Sequence, residues 1–161
     1  MQHFLKTRQY LEQVRDASQK VEMLKERIAL CVEAGEDAAP LRLELDTAEQ
    51  NYLRKKIEVS SMIERIPRTH LQWILNKYYV NLLTWHEIGR LNKTGMRRVT
   101  QDHGLALPEM QDVLVEAGII APEDAEDIKE ILEEEGSLDV GTMQDYLKYR
   151  EEKMQGAVHS S

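Results

Sequence analysis

Arg97, Arg98, Thr100 and Gln101 stand together on a short stretch whose residue types are those that read base edges in DNA. An arginine fork pairs with guanine O6 and N7, and a glutamine amide with adenine N6 and N7. Each pairing is worth about 1–3 kcal/mol of discrimination. With Val99 as the inward anchor of a helix, His103 and Ala106 share its face and look inward. Arg97 and Gln101 then lie on roughly the opposite side, with Arg98 and Thr100 on the flanks. Lys77, His86, Arg90, Lys93 and Thr94 are placed to meet phosphates, which position a protein on a duplex without reading its sequence. Asp102 puts a negative charge on the same reading helix.

The surrounding charge points to a polyanion. From Arg54 to Arg98 ten bases meet three acids, a local +7 in a chain of net charge −8, so the remainder carries −15. Nucleic acid is drawn to one part of such a molecule and repelled by the rest. Between Glu123 and Glu152 twelve acids face three bases. The acidic stretch 123–135 reads first as a solvated helix face. Its sharper readings are a partner surface or a segment folded back on the basic part.

These residues need elements to hold them. Thr84-Trp85-His86-Glu87 is a capping box and predicts a short helix from Trp85 to about Leu91. Asn92-Lys93-Thr94-Gly95 reads as a turn with Thr94 as N-cap. The next helix then runs from Gly95 or Met96 to Leu107, where Pro108 closes or kinks it. Upstream, Thr69 to Val80 predicts a helix rich in Leu, Ile and aromatic residues, and Trp73 and Trp85 read as core.

The first sixty-six residues carry a different pattern. Thr7, Tyr10, Val14, Ala17, Val21, Leu24, Ile28 and Cys31 alternate by three and four, the seam of a coiled coil. Gly35 and Pro40 break it, and Leu41, Leu45, Ala48, Tyr52, Val59, Met62 and Ile66 resume it, interrupted by Lys55. Two such helices on a short loop fold back as an antiparallel hairpin. Cys31, on the seam, reads as a small buried apolar residue. With aromatics at 6 % and abundant Leu, Glu, Lys and Met, the chain is expected to be all-α.

The expected organisation is a coiled-coil-like helical hairpin over 1–66, a helix-turn-helix over 67–107, an acidic helical tail over 108–154, and a disordered end at 155–161. The tail divides into a short amphipathic face ending at Gly118, a helix from about Ala121 to Glu135, and a last helix from about Gly141 to Met154. The hairpin has little core of its own. It is expected to form a homo-oligomer, with a dimer favoured, or to pack on the next domain.

Trp85-x-Glu87-Ile88-Gly89, Leu91, Val99, His103-Gly104 and Ala106-Leu107 follow Ile66-Pro67 and Tyr78-Tyr79-Val80. Together they resemble the region-four helix-turn-helix of sigma factors. They are more closely similar to the phage and prophage RinA and ArpU late-gene transcription activators, in which a Tyr-Leu-Glu-Gln-like phrase opens the charged N-terminus. Tyr10-Leu11-Glu12-Gln13 matches that phrase. The resemblance covers about residues 8–107 and implies DNA binding near a promoter and contact with RNA polymerase. Gln101 departs from it, standing where a basic residue is common.

The favoured reading is therefore a sequence-specific regulator of phage or prophage transcription, with the helix at about 95–107 in the major groove of double-stranded DNA. Two others use the same parts: a small-terminase-like packaging protein, and a protein-binding inhibitor whose acidic tail mimics DNA. No Gly-rich phosphate loop or nucleophile–base pair points to an enzyme. His70, His86 and His103 are too scattered to suggest a metal, and no cofactor is expected. One cysteine, no bilayer-length apolar run and no signal pattern lead to the expectation of a soluble, cytoplasmic protein with no membrane partner.

Overall fold

The computed structural model describes residues 3–135, 148 and 150–152. Among these residues every regular element is helical, and no helix is long and apolar enough to cross a membrane.

The three-four spacing folds as two consecutive helices, α1 (Leu5–Leu11) and α2 (Gln13–Glu33), joined at Glu12 with near-helical dihedrals. Thr7, Tyr10, Val14, Ala17, Val21, Leu24 and Ile28 are all buried on one face. Cys31 is only half-buried, because it lies in the last turn, where the partner helix has barely begun. Gly35 takes φ +72 and stops α2, and Pro40 sits in the first turn of α3 (Ala39–Ile63). The Tyr10 hydroxyl donates to Glu58 Oε1 at 3.4 Å, so the start of the first arm meets the end of the second and the arms run antiparallel. Leu41, Leu45, Ala48 and Tyr52 are half-buried against α2. Only Val59 and Ile63, nearer the base, are closed off fully.

Below the hairpin come α4 (Thr69–Leu75), which continues as a π-helical turn over Asn76–Val80, then α5 (Trp85–Leu91) and α6 (Met96–Glu116). The helix does not end at Leu107 as expected: α6 runs unbroken through Pro108. Proline removes one backbone donor and crowds the carbonyl four residues back. That carbonyl belongs to Gly104, an exposed residue with no side chain, where water can take the orphaned acceptor. From Leu105 to Gln111 every residue is buried, so tertiary packing outweighs the local break. The boundary expected between 107 and 108 thus falls inside one helix.

This buried half of α6 is the centre of the main core, with Leu107, Met110 and Leu114 meeting Leu11, Val14, Val59, Ile63, Leu71 and Leu75. Glu109 is fully buried among them. Arg68, at the start of α4, donates from Nε to Glu109 Oε2 at 2.7 Å, with Nη2 2.6 Å from the same oxygen. Burial pushes the Glu109 carboxyl above its ordinary range, and Arg68 pulls against that shift.

Beyond α6, Gly118 takes φ +77. Instead of the single expected helix from Ala121, the chain makes a 3-10 turn over Pro122–Asp124, a break, and then α7 (Ile128–Glu135). The break has a cause: the Gln111 side-chain amide binds the backbone N–H and carbonyl of Glu126 at 3.0 and 2.9 Å, withdrawing both from a helix ladder. Asp127 Oδ1 then accepts from the N–H groups of Lys129 and Glu130 and caps α7. The Glu126 carboxylate takes the Phe4 N–H and faces His3, while Lys6 pairs with Asp124 at 2.8 Å. Ile120, Ile128 and Ile131 join the main core. Of the expected last helix, only residues 148 and 150–152 are described, and these are helical. The stretch 155–161 lies outside the described residues.

Because Glu109 has no exposure at all, Arg68→Ala strands a buried acid, and urea unfolding is expected to show a loss of about 3 kcal/mol. The paired change Arg68→Met with Glu109→Met is expected to restore most of that loss. A single variant as stable as wild type is the contrary result.

Candidate nucleic-acid interface

The Thr84 hydroxyl accepts from the Glu87 N–H at 3.2 Å, and the Glu87 carboxylate accepts from the Thr84 N–H at 3.1 Å. This is the capping box that starts α5. Hydrogen bonding to Thr84, its backbone N–H first, holds the Glu87 carboxyl below the usual range.

The turn after α5 depends on Gly89. Thr94 donates its N–H to the Gly89 carbonyl at 2.9 Å, which folds the turn back onto the helix. A Cβ on Gly89 would lie 3.0 Å from the Thr94 carbonyl oxygen, so no side chain fits between turn and helix. Lys93 accommodates the reversal with φ +56, a left-handed conformation costly for a residue with a side chain. Thr94 is not the N-cap that its type suggests. Its N–H is drawn onto Gly89, the cap moves one residue on to Gly95, and the Thr94 hydroxyl accepts from the Asn92 amide at 3.5 Å. The first turn of α6 therefore begins without a side-chain cap.

Val99 anchors α6 inward. With Ile74 and Ile88 it makes a small second core that excludes water almost completely. Trp73 and Trp85 pack at its edge and stay partly exposed, rather than forming the core itself as expected, because three aliphatic residues fill the centre. His103 follows Val99 inside, its Nε2 2.7 Å from the Tyr79 hydroxyl oxygen. Burial, helped by the Arg8 charge, pushes the imidazole down to about 3, so it is neutral. Burial also raises the Tyr79 phenol, which keeps its proton, so the contact is a hydrogen bond between two neutral groups. Trp85 stacks on Tyr78 with ring centroids 3.7 Å apart, and the Arg15 guanidinium carbon lies 5.3 Å from the Tyr78 centroid. The aromatic group thus ties α5 to α2.

The outer side is a different surface. From Arg90 to Arg98 every residue is exposed, and the stretch holds four cations and no acid. Arg90 stands in the last turn of α5, Lys93 and Thr94 in the turn that follows, and Arg97 in the first turn of α6. His86, four residues before Arg90, continues the same face of α5. Lys77, half-buried on the π-helical turn, holds Nζ 5.8 Å from the Trp73 ring centroid. Thr100 is exposed, but its hydroxyl donates to the Arg97 carbonyl at 2.9 Å. What it offers outward is a methyl group and an acceptor. Gln101 is half-buried.

Asp102 departs most from its expected place. It is buried, 3 % exposed, where it lines a cleft of about 240 Å³ with His70, Trp73, Ile74 and Asn92. Its Oδ2 lies 3.5 Å from Arg98 Nε, so the one acid in the first half of α6 is withdrawn from the surface and steadies one of the two arginines.

No protein-family model matches this chain, nor does any curated protein or solved structure.

Sequence reasoning missed several members of the site. Met96, 54 % exposed at the first position of α6, gave no signal because it shares the inward period of Val99 and His103. The Tyr78–Trp85 stack depends on the π-helical turn, which shifts the register of Tyr78 by one residue and has no signature in the pattern. The burial of Asp102 had one available signal, since it lies next to His103 and four residues after Arg98.

Two outcomes follow from this geometry. Gly89→Ala gains about 1 kcal/mol of helix propensity, yet it is expected to lower the melting temperature, because the methyl meets a backbone carbonyl that cannot move without opening the turn. For His103 the folded value, about 3, lies below the unfolded 6.5, so between these values the unfolded chain binds the extra proton. Its stabilising contribution is complete above pH 6.5 and drains away as pH falls toward 3. The slope approaches about 1.4 kcal/mol per pH unit. Denaturation followed across that window should flatten in His103→Gln; an unchanged slope contradicts the assignment.

Proposed function

We propose that this chain is a sequence-specific reader of double-stranded DNA acting in phage or prophage transcriptional control. In this reading α5 and α6 form a sigma region-four-like helix-turn-helix carried on a coiled-coil hairpin. The observation that supports it is the exposed run from Arg90 to Arg98, four cations with no acid, at the projecting start of a helix whose other half is immobilised in the core. A rigid helix end with basic and amide side chains suits the major groove, where an α-helix fits and base edges are distinguishable.

Arg97, Arg98 and Gln101 read bases, and Thr100 and Met96 offer apolar contact to thymine methyl groups. Arg90, Lys93, His86 and Lys77 meet phosphates, joined by the uncapped N–H groups of the first turn of α6. The resemblance to the RinA and ArpU activators supports RNA polymerase as a further partner. The described part of the acidic segment lies beside Gln111, about 21 Å along α6 from Arg97, which favours open access of DNA to the reading end.

Fluorescence anisotropy with duplexes from the chain's own upstream region tests this. Arg97→Ala is expected to cost about 1–3 kcal/mol and to relax discrimination at one base pair. Lys93→Ala is expected to weaken specific and unrelated duplexes alike and to reduce the salt slope by about 1. No binding to the upstream duplexes, or an unchanged affinity and salt slope when Arg97 and Arg98 are both alanine, overturns the reading.

A further inference from the structure

α4, α5 and α6 leave between them a cleft that the reading of DNA does not use. Its volume is about 240 Å³, and it is lined by His70, Trp73 and Ile74 of α4, Asn92 at the end of α5 and Asp102 of α6. Asp102 is the unusual member. It is 3 % exposed, its Oδ2 lies 3.5 Å from Arg98 Nε, and its Oδ1 has no hydrogen-bond partner among the described residues. A buried acceptor without a donor costs about 1–3 kcal/mol, and more when it is charged. An apolar residue at the same place would wall the cleft without that cost. The torsion that turns a carboxylate about its Cβ–Cγ bond is soft, so a small rotation presents Oδ1 to the cleft.

The walls define the class of ligand. A carboxylate oxygen calls for an N–H donor and excludes an anion. Two cations already stand at the walls: Arg98 beside the carboxylate, and Lys77 with Nζ 5.8 Å from the Trp73 ring centroid. A third positive charge is repelled by both, so the fitting ligand is neutral. Trp73 and Ile74 offer aromatic and aliphatic surface, which suits a planar ring. Asn92 spends one amide hydrogen on the Thr94 hydroxyl at 3.5 Å and keeps a second for an acceptor. At about 30 Å³ per water, the cleft has the volume of about eight waters. One substituted ring fills it, and a drug-sized ligand does not fit.

We propose that this cleft binds a small, neutral, planar heterocycle bearing an amino group, an aminopyrimidine in type. The amino N–H donates to Asp102, Asn92 meets an acceptor on the ring, and Trp73 flanks the ring. A carboxylate accepts from the amino group of cytosine in the same sense. The contacts are few and the ligand is small, so binding is weak and reversible. The proposal does not rest on DNA binding, since the ligand is held by Asp102 and Trp73 rather than by the exposed cations.

Titration of the full chain with free cytosine tests it, followed through the indole N–H signal of Trp73 in NMR. Cytosine is expected to shift that signal saturably in the millimolar range and to raise the melting temperature. Pyrimidine, the same ring without an N–H, and methylammonium, a cation without the ring, are each expected to bind about tenfold more weakly or less. Asp102→Ala removes the preference, so that cytosine and pyrimidine bind alike; circular dichroism checks its fold. Asn92 is exposed, and Asn92→Ala weakens cytosine binding about threefold. If Asp102→Ala does not fold, Asn92→Ala and the comparison of ligands still decide. A short single strand of deoxycytidines runs alongside, to separate a base within nucleic acid from the free molecule. No saturable shift at Trp73, which leaves the cleft to water, overturns the proposal. So does equal affinity for pyrimidine or methylammonium, a preference that survives Asp102→Ala, unchanged affinity in Asn92→Ala, or a response to the strand alone.

Discussion

The structure depends on α6 being one unbroken rod. Its stretch from Leu105 to Gln111 is buried on every side, and its first two turns project from the fold with only Val99, Asp102 and His103 turned inward. Packing around the second half fixes the direction of the first, so the exposed end inherits the rigidity of the core without contributing much to it. Pro108 is tolerated at the junction because Gly104 stands where the missing hydrogen bond leaves a carbonyl, on the exposed side. A break there would let the start of the helix swing. Continuity fixes where the backbone of Arg97 and Arg98 stands relative to the core.

Polar groups buried along the rod set its position. Apolar contacts alone allow a helix to slide or rotate at modest cost, whereas Glu109 must meet Arg68, His103 must meet Tyr79, and the Gln111 amide must meet the Glu126 backbone. Each lies at a different level of α6 and reaches a different part of the chain: the corner before α4, the π-helical turn, and the segment before α7. Moving the helix by one residue leaves all three unsatisfied in a medium where an unpaired group is expensive. Glu126 extends the arrangement to the N-terminus through Phe4, so the start of the chain and the segment before α7 are held by the same helix. Such groups trade some stability for a single register.

Much of this was legible in the sequence wherever periodicity or a short motif carried it. The seven buried seam residues from Thr7 to Ile28, the capping box at Thr84 and Glu87, the inward turn of His103 and the exposed Arg97 and Arg98 all follow from spacing and residue type. What was not legible depended on partners distant in the chain. Pro108 reads as a stop until the surrounding core is known. Ala121 to Glu135 reads as one helix until Gln111, far away in sequence, claims the Glu126 backbone. The left-handed Lys93 and the shift of the cap from Thr94 to Gly95 follow from a contact with Gly89 that no local rule contains. Within the proposed binding surface, the residue types were readable; which of them the fold leaves uncovered was not.

On the proposed function, the placement of acids reconciles a nucleic-acid surface with a chain of net charge −8. Asp102, the acid closest to the reading residues, is withdrawn into a cleft, where its field is partly cancelled by Arg98. The acids at 123–127 lie by the far end of α6, and two of them are engaged there by Lys6 and His3. At physiological salt, fields decay over about 8 Å, so carboxylates some 20 Å away act weakly on a phosphate at Lys93 while still repelling DNA from the opposite end. Net charge is then a poor guide to affinity in this fold. On the proposed reading the gradient along α6 matters more, because it would orient an approaching duplex toward the end that carries Arg90 to Arg98.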